Sequence, residues 1–190
     1  MENFILEPEA RIEVIDHADV LVIGGGPAGI AAAIAAERAG AEKVILLERY
    51  NHLGGMATGG QVILIPSLSY KKEMMIKGIM LEAIERLEAI PNGYFGPSRE
   101  ITGSEEPEFV GKWQHYFNMT RNGAVCYGGY TDPEIFKIVL QRMIEEANVK
   151  VYLHSIACRA VCEGETVRGV SFESKQGRNA ILADVVIDCT

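Results

Sequence analysis

Apolar runs that alternate with segments of helical composition divide the first part of the chain. The runs at residues 19–23 and 44–47 have the length of buried strands. Between them, an Ala-rich segment continues to Ala39 and is ended by Gly40, which predicts a helix that joins two parallel strands. The pattern therefore predicts a β-α-β unit at residues 19–48, within an α/β fold built on a doubly wound parallel sheet.

A second series of elements begins at Thr131. Residues 131–134, Thr-Asp-Pro-Glu, have the form of a capping box with Pro near the first helical position, and helical spacing continues to about Ala147. A short strand is then predicted at residues 149–153, and turns at residues 163–164 and 176–177 predict a three-stranded antiparallel β-meander. The meander strands are predicted at residues 156–162, 166–173 and 179–182, and one more buried strand at 183–188.

Residues 61–130 interrupt this alternation. Residues 72–90 have the spacing of an amphipathic helix, whereas residues 91–130 lack periodicity and contain eight aromatic side chains. We therefore expect a nucleotide-binding domain formed by residues 1–60 and 131–190, with residues 61–130 inserted as a substrate or cap region. His115 and Arg121 are polar groups of interest there, although ordinary surface roles are the more common alternative.

The two ends of the chain also carry predictions. Residues 1–17 are interpreted as a lead-in in which residues 11–15 form a short strand. The last residues form a buried strand, and such a strand is normally followed by a loop and a helix. We therefore expect the chain to be the N-terminal part of a longer protein.

Composition limits the classes of partner. With 190 residues, 48% hydrophobic, 23% charged and a net charge of −8, the chain is typical of globular proteins and unlike nucleic-acid-binding ones. It has no apolar run of about 18 residues and no signal-peptide pattern, so no membrane contact and a cytoplasmic location are expected. Cys126, Cys158, Cys162 and Cys189 form no metal-binding pattern; we predict buried free thiols and no metal site.

A glycine motif follows the first strand. Gly24, Gly26 and Gly29 have G-x-G-x-x-G spacing, and Pro27 suits the first helical turn. A residue without Cβ at position 26 lets backbone N–H groups approach a pyrophosphate, and the positive end of the helix dipole favours that anion. The alternative is a glycine-rich turn in an ordinary β-α-β unit.

Glu48 ends the second strand, where a carboxylate accepts hydrogen bonds from the adenosine ribose hydroxyls. An anion at this position argues against NADP, whereas NAD and FAD both remain compatible with it. The alternative is a surface acid at the end of a strand. Residues 50–60 then form a glycine-rich loop at the carboxyl edge of the sheet; contact with a ligand is the favoured interpretation, and a flexible linker is the alternative.

These segments together resemble a known family. Four blocks carry the resemblance: DVLVIGGGPAGIAAAIAAERAG, VILLERYNHLGGMATGG, YTDPEIFK, and the run from Val149 to Thr190. They are similar to glutathione-reductase-like flavoproteins with two dinucleotide-binding domains, and most similar to FAD-dependent oxidoreductases with a G-G-x-x-T loop. The resemblance implies an FAD/NAD(P)-binding Rossmann-like fold.

The resemblance also implies roles for residues. The pyrophosphate would lie on the first glycine loop, the ribose on Glu48 with Arg49 beside it, and the ribityl chain along the second glycine loop. Ala157 would meet the adenine through its backbone, and Thr190 would help to close the flavin site. The implied FAD-binding residues are Gly24, Gly26, Pro27, Ala28, Gly29, Glu48, Arg49, Gly54, Gly55, Met56, Ala57, Thr58, Ala157 and Thr190.

The sequence thus predicts an FAD-dependent oxidoreductase that acts on a small molecule and passes electrons to an unidentified acceptor. An NAD-dependent dehydrogenase and a non-enzymatic nucleotide-binding fragment are the alternatives. A flavin performs its own redox chemistry, so the sequence requires no acid–base pair. His115, Tyr127 and Cys126 are the only candidates for catalysis, and none has a supporting motif.

Overall fold

The structure, a computed structural model, describes residue 3 and residues 9–190. Part of the predicted lead-in, residues 1, 2 and 4–8, lies outside the described residues. The helices are α1 Pro27–Arg38, α2 Ile79–Glu88, α3 Pro107–Trp113 and α4 Pro133–Glu146. The strands are β1 Glu13–Ile23, β2 Val44–Leu47, β3 Leu64–Ile65, β4 Ser69–Tyr70, β5 Glu73–Met74, β6 Tyr94–Phe95, β7 Thr120–Arg121, β8 Ala124–Val125, β9 Gly129–Thr131, β10 Lys150–Tyr152, β11 Ile156–Glu163, β12 Thr166–Ser174 and β13 Gly177–Asp188.

The largest sheet has the strand order β10-β2-β1-β13-β12-β11. The pairs from β10 to β13 are parallel, and β12 pairs antiparallel with both β13 and β11. A parallel sheet that continues into an antiparallel meander is the predicted Rossmann-like α/β architecture, and this prediction is confirmed.

Two predicted strand boundaries are wrong, because long-range pairing overrides the local pattern. Residues 11–15 were expected as a strand separate from the next one, but β1 is continuous and pairs with β13 from Glu13 to Ile23. Likewise, the last meander strand and the final buried strand are one strand. Residues 177–182 of β13 pair with β12 on one edge, and residues 179–188 pair with β1 on the other.

Two helix predictions also need correction. The helix expected at residues 72–90 begins only at Ile79, because Gly78 has a φ of 68° and residues 73–74 pair with β4 in a hairpin. Helix α4 has the expected extent, but Asp132 is its N-cap rather than Thr131. The Asp132 carboxylate accepts bonds from the amides of Glu134 and Ile135, the role typical of an N-cap aspartate.

Both faces of the sheet are buried at β2 and at the C-terminal half of β1. Along β1, Val22 belongs to a cluster with helices α1, α2 and α4, whereas Leu21 and Ile23 belong to a second cluster with Phe172 of β12. The alternation follows from the two-residue period of strands. Burial on both faces explains why residues 20–23 of β1 and all of β2 are continuously apolar.

Part of the segment 61–130 shares the helix-side core. Leu81, Ile84 and Leu87 of α2 pack in the same cluster as residues of α4. Outside that core, the Arg86 guanidinium lies 2.9 and 2.7 Å from the two Glu146 carboxylate oxygens. A bidentate pair of this kind, half exposed, fixes the orientation of α2 on α4 more than it adds stability.

The expectation of buried thiols is correct only in part. The four cysteines are free, and Cys126 is buried, but Cys158 and Cys162 are exposed and Cys189 is half-buried. Both exposed thiols lie on β11, the edge strand of the sheet, and most residues of this strand are exposed. Among the described helices, none has the length and apolar character needed to cross a membrane.

A charge cluster around Asp16, whose side chain is only 9% exposed, connects β1 with β10 and with the residue before β2. Its carboxylate pairs with Lys43, lies 2.7 Å from the Lys150 ammonium, and accepts bonds from the His17 amide and the Tyr152 hydroxyl. Burial raises the pKa of Asp16, but these donors outweigh burial and hold the pKa well below its usual range.

We expect Asp16→Asn to lower the free energy of unfolding at pH 7 by about 1–2 kcal/mol, a modest value because both lysines are half exposed. Folding lowers the pKa of Asp16, so its stabilising effect is present above the unfolded value of about 3.9 and is lost as the pH falls below it. Urea unfolding of both proteins at pH 7 and in acid should therefore show a difference that shrinks in acid. Asp184→Asn, at an exposed aspartate, is the control and should change little; a pH-independent difference would contradict the assignment.

Candidate functional site

The loops after three parallel strands meet at the carboxyl edge of the sheet. Ile23, the last residue of β1, is in register with Leu47 of β2 and with Asp188 of β13. The Gly24 amide donates to the Leu47 carbonyl at 2.8 Å, and the Cys189 amide donates to the Ile23 carbonyl at 2.8 Å. Open α/β sheets bind ligands at this edge.

The first glycine loop is packed on one side and open on the other. A Cβ on Gly29 would lie 1.7 Å from the Gly24 carbonyl oxygen, and a Cβ on Gly24 would lie 2.8 Å from the Cys189 oxygen. A Cβ on Gly26, by contrast, would meet no atom within 4 Å. Gly29 is therefore required by the fold, whereas the lack of a side chain at position 26 leaves free space at the mouth of the sheet.

The open space lies at the N-terminus of α1. Gly26 is the N-cap of this helix, Pro27 follows it in the first turn, and no side chain caps the helix. Pro27 and Ala28 are exposed. The first amides of α1 therefore keep their donor capacity for an anion, which the helix dipole also favours. These features fit a pyrophosphate group.

Glu48 points into the same mouth, with the residue only 5% exposed. Its Oε2 accepts from the Gly25 amide at 2.6 Å, and its Oε1 accepts from the Tyr50 amide at 2.7 Å. Two bonds use about half of the acceptor capacity of a carboxylate, so further donors can be bound. Sequence reasoning missed Gly25, whose amide orients Glu48; the third glycine in the G-G-G run was the available signal.

The residues that follow Glu48 form an exposed stack. The Arg49 guanidinium lies 4.6 Å from the centre of the Tyr50 ring, which stacks on His52 at 5.8 Å. Behind them, the Ser155 amide donates to the Glu48 carbonyl at 2.9 Å. The segment after β10 thus holds the Glu48 backbone, a contribution that no sequence motif indicated.

The second glycine loop lies against the first. The Gly54 amide donates to the Gly25 carbonyl at 2.8 Å, and a Cβ on Gly55 would lie 3.1 Å from the Gly26 Cα. Gly55, Met56 and Ala57 form one 3₁₀ turn, in which Met56 is 64% exposed. The two loops that were singled out separately in the sequence are therefore one contiguous surface.

Thr58 has an internal role in this loop. It is buried, its hydroxyl donates to the Leu53 carbonyl at 2.7 Å, and a Cβ on Gly54 would lie 2.3 Å from its methyl group. Ala57, beside it, is also buried. These two side chains shape the loop from within, while Met56 faces outward.

Ala157 and Thr190 line one cleft of about 360 Å³ together with Ile23 and Asp188. Thr190 donates to Asp188 Oδ1 from both its amide, at 3.0 Å, and its hydroxyl, at 2.8 Å. These bonds hold the pKa of Asp188 below its usual value. Two of the predicted site residues, Ala157 and Thr190, thus line one cleft next to the end of β1.

The candidates for catalysis are not grouped. Tyr127 is fully buried, and its hydroxyl donates to Glu88 at 2.8 Å. Burial and that bond raise the pKa of Tyr127. Cys126 is buried beside it, whereas His115 is exposed. Among the described residues, no cluster of His, Cys, Asp and Glu is arranged to hold a metal ion.

Comparison with known proteins extends these observations. A family model described as FAD dependent oxidoreductase matches residues 19–190. L-aspartate oxidase of Mycobacterium leprae is 26% identical over 191 residues, which cover 90% of this chain but 35% of the relative. A probable electron transfer flavoprotein-ubiquinone oxidoreductase of Saccharomyces cerevisiae mitochondria is 38% identical over 68 residues, 33% of this chain and 10% of the relative. The chain therefore spans about a third or less of the curated relatives it matches.

Solved structures support the same fold. A geranylgeranyl bacteriochlorophyll reductase-like protein of Thermoplasma acidophilum aligns with a TM-score of 0.58 and 24% identity, over 91% of this chain and 39% of that one. A myxobacterial FAD-dependent chondrochloren halogenase aligns with a TM-score of 0.57 and 21% identity, over 92% and 37%. At these identities, the likeness concerns the fold.

The contrast between two glycines provides a test of the packing. We expect Gly29→Ala to lower the free energy of unfolding by about 3 kcal/mol, because its Cβ would collide with the Gly24 carbonyl oxygen. Gly26→Ala should change it by less than about 0.5 kcal/mol, since the backbone there is extended and the space is free. Urea unfolding measures both. Equal losses would show that the loop is packed differently.

Proposed function

The chain belongs to the FAD-dependent oxidoreductase family, and from that premise we propose that residues 9–190 form the flavin-nucleotide cradle of an enzyme that transfers hydride to or from a small molecule. The observation that carries the proposal is the meeting of the two glycine loops. They present bare backbone and a buried carboxylate, Glu48, at one edge of the sheet.

The cradle matches the parts of FAD in order. The pyrophosphate would lie over Gly26 and the first amides of α1, where no side chain intrudes. The adenosine ribose would donate to Glu48, and the adenine would lie toward Ala157. The ribityl chain would follow Gly55 and Met56. The cleft that Ala157 and Thr190 line together supports the placement of the adenine toward Ala157.

The residues of this chain supply binding and orientation. FAD, when bound, supplies hydride acceptance and donation through its own ring. Glu48 would fix the sugar, the α1 amides would fix the phosphates, and the buried Thr58 would keep the second glycine loop in shape. No side chain of the chain is assigned a proton-transfer role.

Three further elements belong to the proposal. Residues 61–130 would form the substrate side, because they extend from the second glycine loop. Electrons would pass to an acceptor whose identity is open. A cytoplasmic location is consistent with the free thiols of Cys158 and Cys162, which are exposed and unpaired.

An NAD-dependent dehydrogenase is the second candidate, since Glu48 would bind the ribose of NAD equally well. The second glycine loop favours FAD, because it extends the cradle beyond the pyrophosphate. Titration of the purified chain with FAD, followed by the quenching of flavin fluorescence, tests the proposal. Binding of FAD that excess NAD does not displace would support it. Tight binding of NAD alone would favour the dehydrogenase, and binding of neither would contradict both.

Gly26→Ala separates folding from cofactor binding. We expect FAD affinity to fall about tenfold or more, because the new methyl group would occupy the space next to the pyrophosphate. Gly111→Ala is the matched control, since its Cβ also meets no atom within 4 Å but lies in α3. Fluorescence titration of the three proteins gives the comparison. An unchanged affinity of Gly26→Ala would place the pyrophosphate elsewhere.

Glu48→Ala tests the ribose contact. Loss of a charge-assisted hydrogen bond should weaken FAD binding by about 1–3 kcal/mol. The substitution also removes the acceptor of the Gly25 and Tyr50 amides, so the unfolding free energy has to be measured alongside. Glu42→Ala, at an exposed acid just before β2, controls for the change in net charge. Equal FAD affinities of the Glu48→Ala and Glu42→Ala chains would refute the assignment.

A further inference from the structure

Aromatic side chains of the inserted residues form one exposed cluster that the cofactor cradle does not use. Phe95 is 48% exposed and Tyr116 is 39% exposed, although their ring centres lie 5.2 Å apart. Trp113 packs under both, at 5.5 Å from Phe95 and 5.7 Å from Tyr116. Phe117, which follows Tyr116 in the sequence, is 67% exposed. Three exposed aromatic residues around a buried tryptophan form an apolar surface patch of the kind that is typical of contact sites.

Two polar groups at this aromatic cluster have no hydrogen-bond or ion-pair partner among the described residues. The Trp113 indole N–H is the one buried side-chain donor or acceptor without a hydrogen bond among the described residues. The Lys112 ammonium lies 4.7 Å from the centre of the Trp113 ring, and within the described chain it forms no ion pair. Glu108, one turn earlier on α3, is not within ion-pair distance of it. The cluster therefore combines a positive charge and an unfulfilled donor with exposed rings.

The position of the cluster connects it to the second glycine loop. The Val62 amide donates to the Met56 carbonyl at 2.9 Å, and β3 begins two residues later. Leu64 pairs with Tyr130 of β9, which pairs with Phe95 of β6, so these side chains lie on the same face. From strand spacings, Phe95 lies roughly 10–15 Å from Val62.

We propose that Phe95, Tyr116, Lys112 and Trp113 form the binding face for a planar aromatic carboxylate, the substrate class of the flavin site. The ring would pack on Phe95 and Tyr116, where offset or edge-to-face contacts are favourable. The carboxylate would pair with the Lys112 ammonium and accept from the indole N–H after small side-chain shifts. The link to the flavin rests on the proposed function; the binding face itself does not.

Trp113 is the single tryptophan of the chain and reports directly on this face. Titration of the chain with benzoate should change the Trp113 emission saturably. Cyclohexanecarboxylate has the same charge but no planar ring, and we expect it to bind at least about fivefold more weakly than benzoate. Benzyl alcohol, which has the ring but no charge, should also bind more weakly. Equal binding of benzoate and cyclohexanecarboxylate would overturn the proposal.

Variants locate the site. Tyr116→Ala should weaken benzoate binding about fivefold, whereas Tyr70→Ala, at a tyrosine of similar exposure on the β4–β5 hairpin, should not change it. Lys112→Met should abolish the preference for benzoate over benzyl alcohol. A patch that serves self-association instead would give a dimer in sedimentation that Tyr116→Ala dissociates and benzoate leaves intact; that result would overturn the proposal.

The FAD titration of the same chain separates this inference from the proposed function. FAD binding without benzoate binding would refute the aromatic site alone. Benzoate binding in a chain that does not bind FAD would support the site and refute its link to a flavin. Benzoate binding that alters the absorption spectrum of bound FAD would support both.

Discussion

The arrangement of this molecule depends on a tight turn in which two positions, Gly24 and Gly29, have no room for a side chain. Residues 24–29 leave β1 and enter α1 within one turn, and the ends of β2 and β13 press on that turn from both sides. A Cβ at position 29 would overlap the carbonyl of position 24, so the close packing of helix on strand requires glycine there. The crowding is also selective. Among the glycines of this turn, Gly26 alone faces open space. The tight packing at the other glycines therefore leaves free space at position 26, where a diphosphate can approach the backbone.

The glycine turn and the position of Glu48 can largely be predicted from the sequence, because their signals are local. Glycine spacing, Pro27 and the acid at the end of β2 are each adjacent in sequence to the element they serve, and the parallel sheet that unites them follows from β-α-β connectivity. The internal role of Thr58 and the orienting amide of Gly25 depend on which atoms face one another after folding. Residue spacing contains no such information, and those details emerged only from the structure.

The errors in secondary structure have a common cause. The helical period of residues 72–90 is genuine, yet the first turns pair as a hairpin with residues 69–70, and Gly78 ends that segment with a left-handed φ. Strand β13 is continuous across the boundary predicted at 182/183 because β1 pairs with it on both sides of that boundary, from Asn179 to Asp188. In both cases a tertiary neighbour outweighs local propensity, which is worth only a few tenths of a kcal/mol per residue.

The hydrogen bonds and the burial of the Glu48 carboxylate bear on which nucleotide can bind. Its two carboxylate oxygens are already held by amides on either side, so the group need not reorganise when a sugar hydroxyl arrives, and little conformational entropy is lost on binding. The same fixed negative charge, nearly buried, would repel a 2′-phosphate at short range, where the surroundings screen charge poorly. The Arg49 guanidinium could offset that repulsion, but it is stacked on Tyr50 rather than paired with the carboxylate. The geometry therefore favours a nucleotide with free ribose hydroxyls, such as FAD or NAD, over NADP.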